Sequence, residues 1–279
     1  MSVSTTSPLV TTEWLAEHLA DPGVIVAEVD ENPELYEEGH IPGAVKLDWR
    51  DDLQDPLVRD VVSSTAFEQL MGERGIGNDT TVVLYGDKNN WFAAYAYWYL
   101  KVFRHEDVRL LDGGRQKWIE EGRDLTAAAS TPGPVAYTAQ DRDESIRIRR
   151  DEVLAGLGGP GIALVDVRSP QEFAGELVAP PGYEQEGASR TGHIPGAQSI
   201  PWATAVRDDG TFKALDELRE IYAAKGITPD KEIRAYCRIG ERSAHTWFVL
   251  RELLGYENVR NYDGSWTEWG NLVDVPIER

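Results

Sequence analysis

The chain is predicted to fold as two tandem α/β domains, each built on a mostly parallel sheet, and three observations predict it. First, Gly39-His40-Ile41-Pro42-Gly43-Ala44 recurs letter for letter as Gly192-His193-Ile194-Pro195-Gly196-Ala197. Second, the pairing continues on either side: Trp49 with Trp202, Gly75-Ile76 with Gly226-Ile227, Asp79 with Asp230, Tyr85 with Tyr236, Asp112-Gly113 with Asp263-Gly264 and Trp118 with Trp269. Third, short apolar runs alternate with longer helical stretches between these landmarks, as they do where crossover helices join parallel strands. Self-similarity on this scale means duplication of one domain, and 31.1 kDa is enough for two of ordinary size.

Each copy reads the same way. Val24 to Val29, and Ile162 to Val167, are short apolar runs typical of buried strands. The repeated turn leads to a second extended piece, Val45 to Leu47 or Gln198 to Ile200, and then to a helix over Thr65 to Arg74 or Leu215 to Lys225. A strand follows, Thr81 to Tyr85 or Glu232 to Tyr236, then a turn and a further helix, which in the second copy runs from Ser243 to Leu254. Val108 to Leu111 or Val259 to Tyr262 gives another strand before a last, tryptophan-bearing helix. The second copy has a longer connection, Ala174 to Arg190, marked as loop by Pro180-Pro181-Gly182. Thr126 to Arg142, rich in Ala, Thr, Pro and Gly, reads as a linker. The expected division is an N-terminal domain over 1–125, a linker over 126–145 and a C-terminal domain over 146–279.

Composition narrows the function. Forty-eight acidic residues against 28 basic ones give a net charge of −20, which argues against nucleic-acid binding as the main task. A local positive pocket for a small anion remains compatible with it. A single cysteine excludes an intrachain disulfide and a multi-cysteine zinc site, and no carboxylate cluster has metal-ligand spacing with histidine, so no metal is expected. Nothing resembles a membrane span or, over Met1 to Val10, a secretory signal. A cytoplasmic monomer is expected.

The cysteine carries the chemistry. Cys237 follows the strand Glu232 to Tyr236 and begins Cys237-Arg238-Ile239-Gly240-Glu241-Arg242-Ser243 ahead of a helix. A thiol at such a turn faces backbone N–H groups and the positive end of a helix dipole. Arg238 and Arg242 add two cations. These effects favour thiolate, so the thiol is expected to ionise well below the roughly 8.5 of a free cysteine. The same groups would hold an anion against the sulfur. A free cysteine is commonly an inert core residue, but a core cysteine gains nothing from two neighbouring guanidinium groups that are costly to bury unpaired. In the first copy Gly86 stands opposite Cys237 and Asp87 opposite Arg238, so that half lacks the nucleophile and is expected to act as a scaffold.

His40 and His193 occupy identical turns in the reactive and unreactive halves, which favours a structural role over general-base catalysis. His245 is expected to face away from the cysteine, and His18 and His105 have no evident partner. A cysteine phosphatase would place one more residue between Cys237 and Arg242 and would need an acid for the leaving group. The tighter loop suits a single sulfur atom on the thiol better than a phosphate.

The repeated turn, the strand end Asp166-Val167-Arg168, the short cysteine loop and the turns Asp112-Gly113-Gly114 and Asp263-Gly264-Ser265 resemble the rhodanese family, over roughly Leu9 to Leu272. The closer likeness is to its two-domain thiosulfate sulfurtransferases, in which only the C-terminal domain is catalytic. The resemblance implies two rhodanese-like domains, each a five-stranded parallel sheet flanked by helices. It implies that Cys237 forms a persulfide, with the outer sulfur among the amides of Ile239, Gly240, Glu241 and Arg242. Arg238 and Arg242 would bind thiosulfate, and cyanide, a dithiol or a thioredoxin-like acceptor would take the sulfur in a double displacement without a cofactor. Family members that use 3-mercaptopyruvate carry small uncharged residues after the cysteine, whereas two arginines suit thiosulfate. A non-turnover carrier of sulfane sulfur is the alternative. Two departures stand out: Ile239 replaces a lysine of the animal enzymes, and Glu172 replaces an arginine.

Overall fold

The computed structural model describes residues 7–183 and 187–279. It divides into two compact units, Met1–Asp143 with Val206–Phe212, and Glu144–Ala205 with Lys213–Arg279. In the first unit, β1 (Leu9–Val10), β2 (Val24–Glu28), β3 (Val45–Lys46), β4 (Thr81–Tyr85) and β5 (Val108–Leu111) form one sheet in the order β1-β5-β4-β2-β3. Every pairing is parallel. The β-branched runs Val24-Ile25-Val26 and Thr81-Val82-Val83 suit central strands covered on both faces. The helices are α1 (Thr12–His18), α2 (Leu35–Glu38), α3 (Ser64–Glu73), α4 (Asp87–Val102) and α5 (Gly114–Glu120). Ser63 starts α3 by accepting the Ala66 N–H.

The second unit repeats the plan with β6 (Ile162–Asp166), β7 (Gln198–Ser199), β8 (Glu232–Tyr236) and β9 (Val259–Asn261), in the parallel order β7-β6-β8-β9. Its helices are α6 (Arg150–Ala155), α7 (Pro170–Phe173), α8 (Leu215–Ala223), α9 (Glu241–Phe248) and α10 (Ser265–Trp269). The sheet has four strands where five are expected. The place of β1 is reduced to a single parallel bridge between Arg147 and Asn261. The Ile148 N–H donates to the Asn261 carbonyl at 3.1 Å, but Arg149 already caps α6, so the pairing ends there. The helix expected over Ser243 to Leu254 starts earlier, at Glu241, and widens into a π-helical turn over Val249–Leu253. Within the connection Ala174 to Arg190, residues 184–186 lie outside the described residues.

The repeated letters have a packing reason. Ile41, Ala44, Tyr85 and Trp118 lie in one apolar cluster, and Ile194, Ala197, Tyr236 and Trp269 in its counterpart. The Tyr85 hydroxyl accepts the Ile41 N–H at 2.9 Å, and the Tyr236 hydroxyl accepts that of Ile194 at 3.0 Å. Each tyrosine thereby ties the turn to a central strand and satisfies an amide that would otherwise be buried without a partner. His40 and His193 are part of the same device. Their Nδ1 atoms meet the carbonyls of Tyr36 at 2.8 Å and Phe173 at 2.9 Å, and each ring stacks on that same residue. Two further histidines have backbone partners as well: His18 meets the Trp14 carbonyl and His105 the Thr80 carbonyl.

Candidate active site

Cys237 is the first residue beyond the carboxyl end of β8, an interior strand of its sheet, which is where ligands gather in parallel α/β folds. The loop that follows is held from several sides. The Cys237 N–H donates to Ser265 Oγ at 3.0 Å, and Ser265 donates to the Tyr262 carbonyl. The carbonyls of Cys237 and Arg238 accept the amides of Trp266 and Thr267, at 3.0 and 2.9 Å. Asn261 Nδ2 donates to the Gly240 carbonyl at 3.0 Å. With its carbonyls pulled outward, the loop turns amides inward, and the Gly240 N–H reaches Cys237 Sγ at 3.1 Å. The Ser243 amide also bonds the sulfur. Gly240 has φ +102°, and a Cβ there would lie 2.7 Å from Asp263 Cα, so the turn admits only glycine.

The charged residues around the thiol are matched. Arg242 makes a two-pronged ion pair with Glu172, at 3.0 and 3.1 Å, with both side chains buried. Glu172 also accepts the Ser169 N–H at 3.0 Å, closing the capping box of α7, so one carboxylate fixes both a helix start and the far end of the cysteine loop. Burial works against its charge, but Arg242 holds Glu172 below the ordinary carboxylate range. Arg238 lies 3.9 Å from Glu241, donates to the Tyr183 carbonyl at 3.2 Å and sits over the Tyr183 ring. The two arginines expected as a cationic pocket are thus each beside a carboxylate.

Cys237 is fully buried, and its Sγ lies 3.5 Å from Glu241 Oε2 in donor geometry. Burial and then the Glu241 charge push the thiol up, against the pull of Arg242 and of the Ser243 and Gly240 amides. This corrects the expectation of a depressed thiol. Weighing the helix dipole and the two arginines leaves out the carboxylate that the same turn brings to the sulfur. The loop holds all the expected site residues, Cys237, Arg238, Ile239, Gly240, Glu241 and Arg242, in one buried turn. Glu172, Tyr183, Ser243 and Ser265 complete the site. The capping box Ser169-Pro170-Gln171-Glu172 is legible as a helix start, but nothing in it points to Arg242. His245 is buried edge-on against Trp202, and burial drives its pKa down to about 3.

The matching loop of the first unit has no room for a thiol. A Cβ at Gly86 would lie 2.1 Å from the Val29 carbonyl oxygen. The next turn is filled by Asn90, whose Oδ1 accepts the Gly86 N–H at 3.0 Å and whose Nδ2 donates to the Leu111 carbonyl at 2.6 Å. Lys88, Asn89 and Asn90 are all left-handed, so no regular helix start faces the loop. Among the described residues, no group of three or more His, Cys, Asp or Glu is placed to hold a metal ion, and no helix is long and apolar enough to cross a membrane.

One parallel α/β domain used twice, with a thiol in the strand-to-helix loop of the second copy only, defines the class. The Rhodanese-like domain matches residues 11–121 and again 149–272, and the chain belongs to that family. It is 62% identical over 275 residues to "Sulfur carrier protein TtuD" of Thermus thermophilus, covering 97% of this chain and 96% of the relative. It is 58% identical over 270 residues to a protein of Saccharopolyspora erythraea named, provisionally, a thiosulfate sulfurtransferase, covering 97% and 95%. Among solved structures, the wild-type structure of EanB superposes with a TM-score of 0.85 at 28% identity, over 97% of this chain and 69% of that one.

Proposed function

We propose that the chain is a thiosulfate sulfurtransferase that carries sulfane sulfur on Cys237 as a persulfide. The family and the names of its relatives support a sulfurtransferase. The observation that carries the reading is the loop amide of Gly240 at 3.1 Å from Cys237 Sγ, with the Ser243 amide beside it. Such donors stabilise a charged sulfur without having to reorganise. In the first half-reaction Cys237 attacks the outer sulfur of thiosulfate. The S–S bond of the donor breaks, its electron pair leaves with sulfite, and a Cys237–S–S⁻ persulfide remains. In the second, cyanide or a thiol attacks the outer persulfide sulfur and Cys237 leaves as thiolate, giving ping-pong kinetics. Arg238 and Arg242 orient the donor and the loop, with Glu172 fixing Arg242. Thiocyanate formation from thiosulfate and cyanide tests the reading: parallel double-reciprocal plots are expected, and intersecting plots would exclude the covalent route.

A second reading has its own support. A relative 62% identical is named a sulfur carrier, and the arginines of the loop stand beside carboxylates rather than forming an open cationic pocket. A carrier would load one sulfur and release it to a protein acceptor, with negligible steady-state turnover to cyanide.

A further inference from the structure

In this structure the sulfur that must act as nucleophile is a buried thiol, so the reaction requires a group to receive its proton. Among the described residues the candidates are few. His245 and His193, the histidines of the second unit, are committed elsewhere: one packs against Trp202, the other bonds the Phe173 carbonyl. The Glu172 carboxylate holds both guanidinium nitrogens of Arg242 and the Ser169 amide. Asp263 is engaged by Arg147 at 3.0 and 2.6 Å on the outer side of Gly240. Glu241 differs from all of these. Its Oε2 faces Cys237 Sγ at 3.5 Å, its Oε1 lies 3.9 Å from Arg238, and its side chain is buried with the sulfur.

We propose that Glu241 is a catalytic acid–base residue that takes the Cys237 proton as sulfur is loaded and returns it when sulfur leaves. The inference rests on the persulfide reading above. In loading, the Cys237 S–H bond breaks and an O–H bond forms on Glu241 Oε2. The freed electron pair forms the bond to the outer sulfur of thiosulfate, and sulfite departs with the pair of the broken S–S bond. The persulfide anion and a neutral Glu241 remain. In unloading, the nucleophile takes the outer sulfur, Cys237 leaves as thiolate, and the Glu241 proton returns to it. Each cycle restores Cys–SH and Glu–COO⁻, and only sulfur is transferred. The loop supplies the placement, because Cys237 follows β8 and the left-handed turn at Gly240 brings Glu241, the first residue of α9, back beside the sulfur.

Single-turnover loading of wild type and Glu241→Gln with thiosulfate, across pH, tests this. Loss of the base is expected to slow loading about 100-fold at neutral pH. The variant should recover towards the wild-type rate in alkali, where the thiol ionises unaided, and that recovery also shows the variant is folded. Glu241→Asp should fall between the two. The opposite sign is the decisive alternative: removing a mere neighbouring charge makes the thiol more acidic, so loading at neutral pH would become faster. Faster or unchanged loading, or slowing by the same factor at every pH, would overturn the proposal. Failure of wild type itself to gain a sulfur atom would instead remove the persulfide reading on which it rests.

Discussion

Replacing Glu172 by glutamine should weaken the second unit more than any other single-atom change in the cysteine loop's surroundings. The carboxylate is wholly buried and bonds a guanidinium group that is itself 5% exposed, so Arg242 has little water to fall back on. Two hydrogen bonds of 3.0 and 3.1 Å lose their charge assistance, and the guanidinium is left without a counter-charge. Breaking a buried pair from one side costs about 3–5 kcal/mol. Glutamine keeps one oxygen for Arg242 or for the Ser169 amide, so the lower end of that range, about 3 kcal/mol, is expected. The pH dependence has a definite sign. Burial raises and Arg242 more than offsets, leaving the folded Glu172 lowered from its ordinary 4.5. Its contribution is therefore complete above the unfolded-state value and is lost as pH falls through the folded one. Urea unfolding of wild type and Glu172→Gln should show the full gap at neutral pH and a shrinking gap in acid. A loss below about 1 kcal/mol, the value of an exposed pair, or a gap unchanged in acid, would refute the reasoning.

The double variant Glu172→Leu with Arg242→Met should recover much of that loss, since apolar side chains of similar volume replace a buried ion pair at little cost; equal instability of the single and double variants on urea unfolding would contradict this. Gly86→Cys should destabilise the first unit by about 1–3 kcal/mol through forced backbone movement, because its Cβ meets the Val29 carbonyl oxygen at 2.1 Å. It should add no second sulfur-loading site, which intact mass after thiosulfate treatment would reveal. Tyr236→Phe should cost about 1–3 kcal/mol in thermal or urea unfolding by leaving the Ile194 amide without its acceptor.

The duplicated fold was legible because the shared letters are those that packing and buried hydrogen bonding fix most tightly. Ile41 and Ile194 fill equivalent core positions, and Tyr85 and Tyr236 bind the same turn amide, so drift in the surface did not erase the pairing. Alternating apolar runs then placed every strand but the two-residue β1 to within a residue or two. The residues of the second copy gave the four strands observed, and the fifth was expected only from the family resemblance; there the edge pairing is confined to Arg147 with Asn261, because Arg149 already caps α6. The loop around Cys237 could be read as a whole from one contiguous segment. Its electrostatics could not, for two reasons. Glu172 reaches Arg242 from an element distant in sequence, with no local signal. Glu241 sits in the same turn, but only the folded side-chain direction shows that its carboxylate faces the sulfur. Counting cations along the loop therefore gave the wrong sign for the thiol.

The central claim is that Cys237 alone accepts sulfane sulfur and gives it up again. Intact mass before and after exposure to thiosulfate, and once more after cyanide, tests it most directly. The account predicts a gain of one sulfur atom, its loss on adding cyanide, and no gain at all in Cys237→Ser. An unchanged wild-type mass, or a gain that survives in the serine variant, would contradict it.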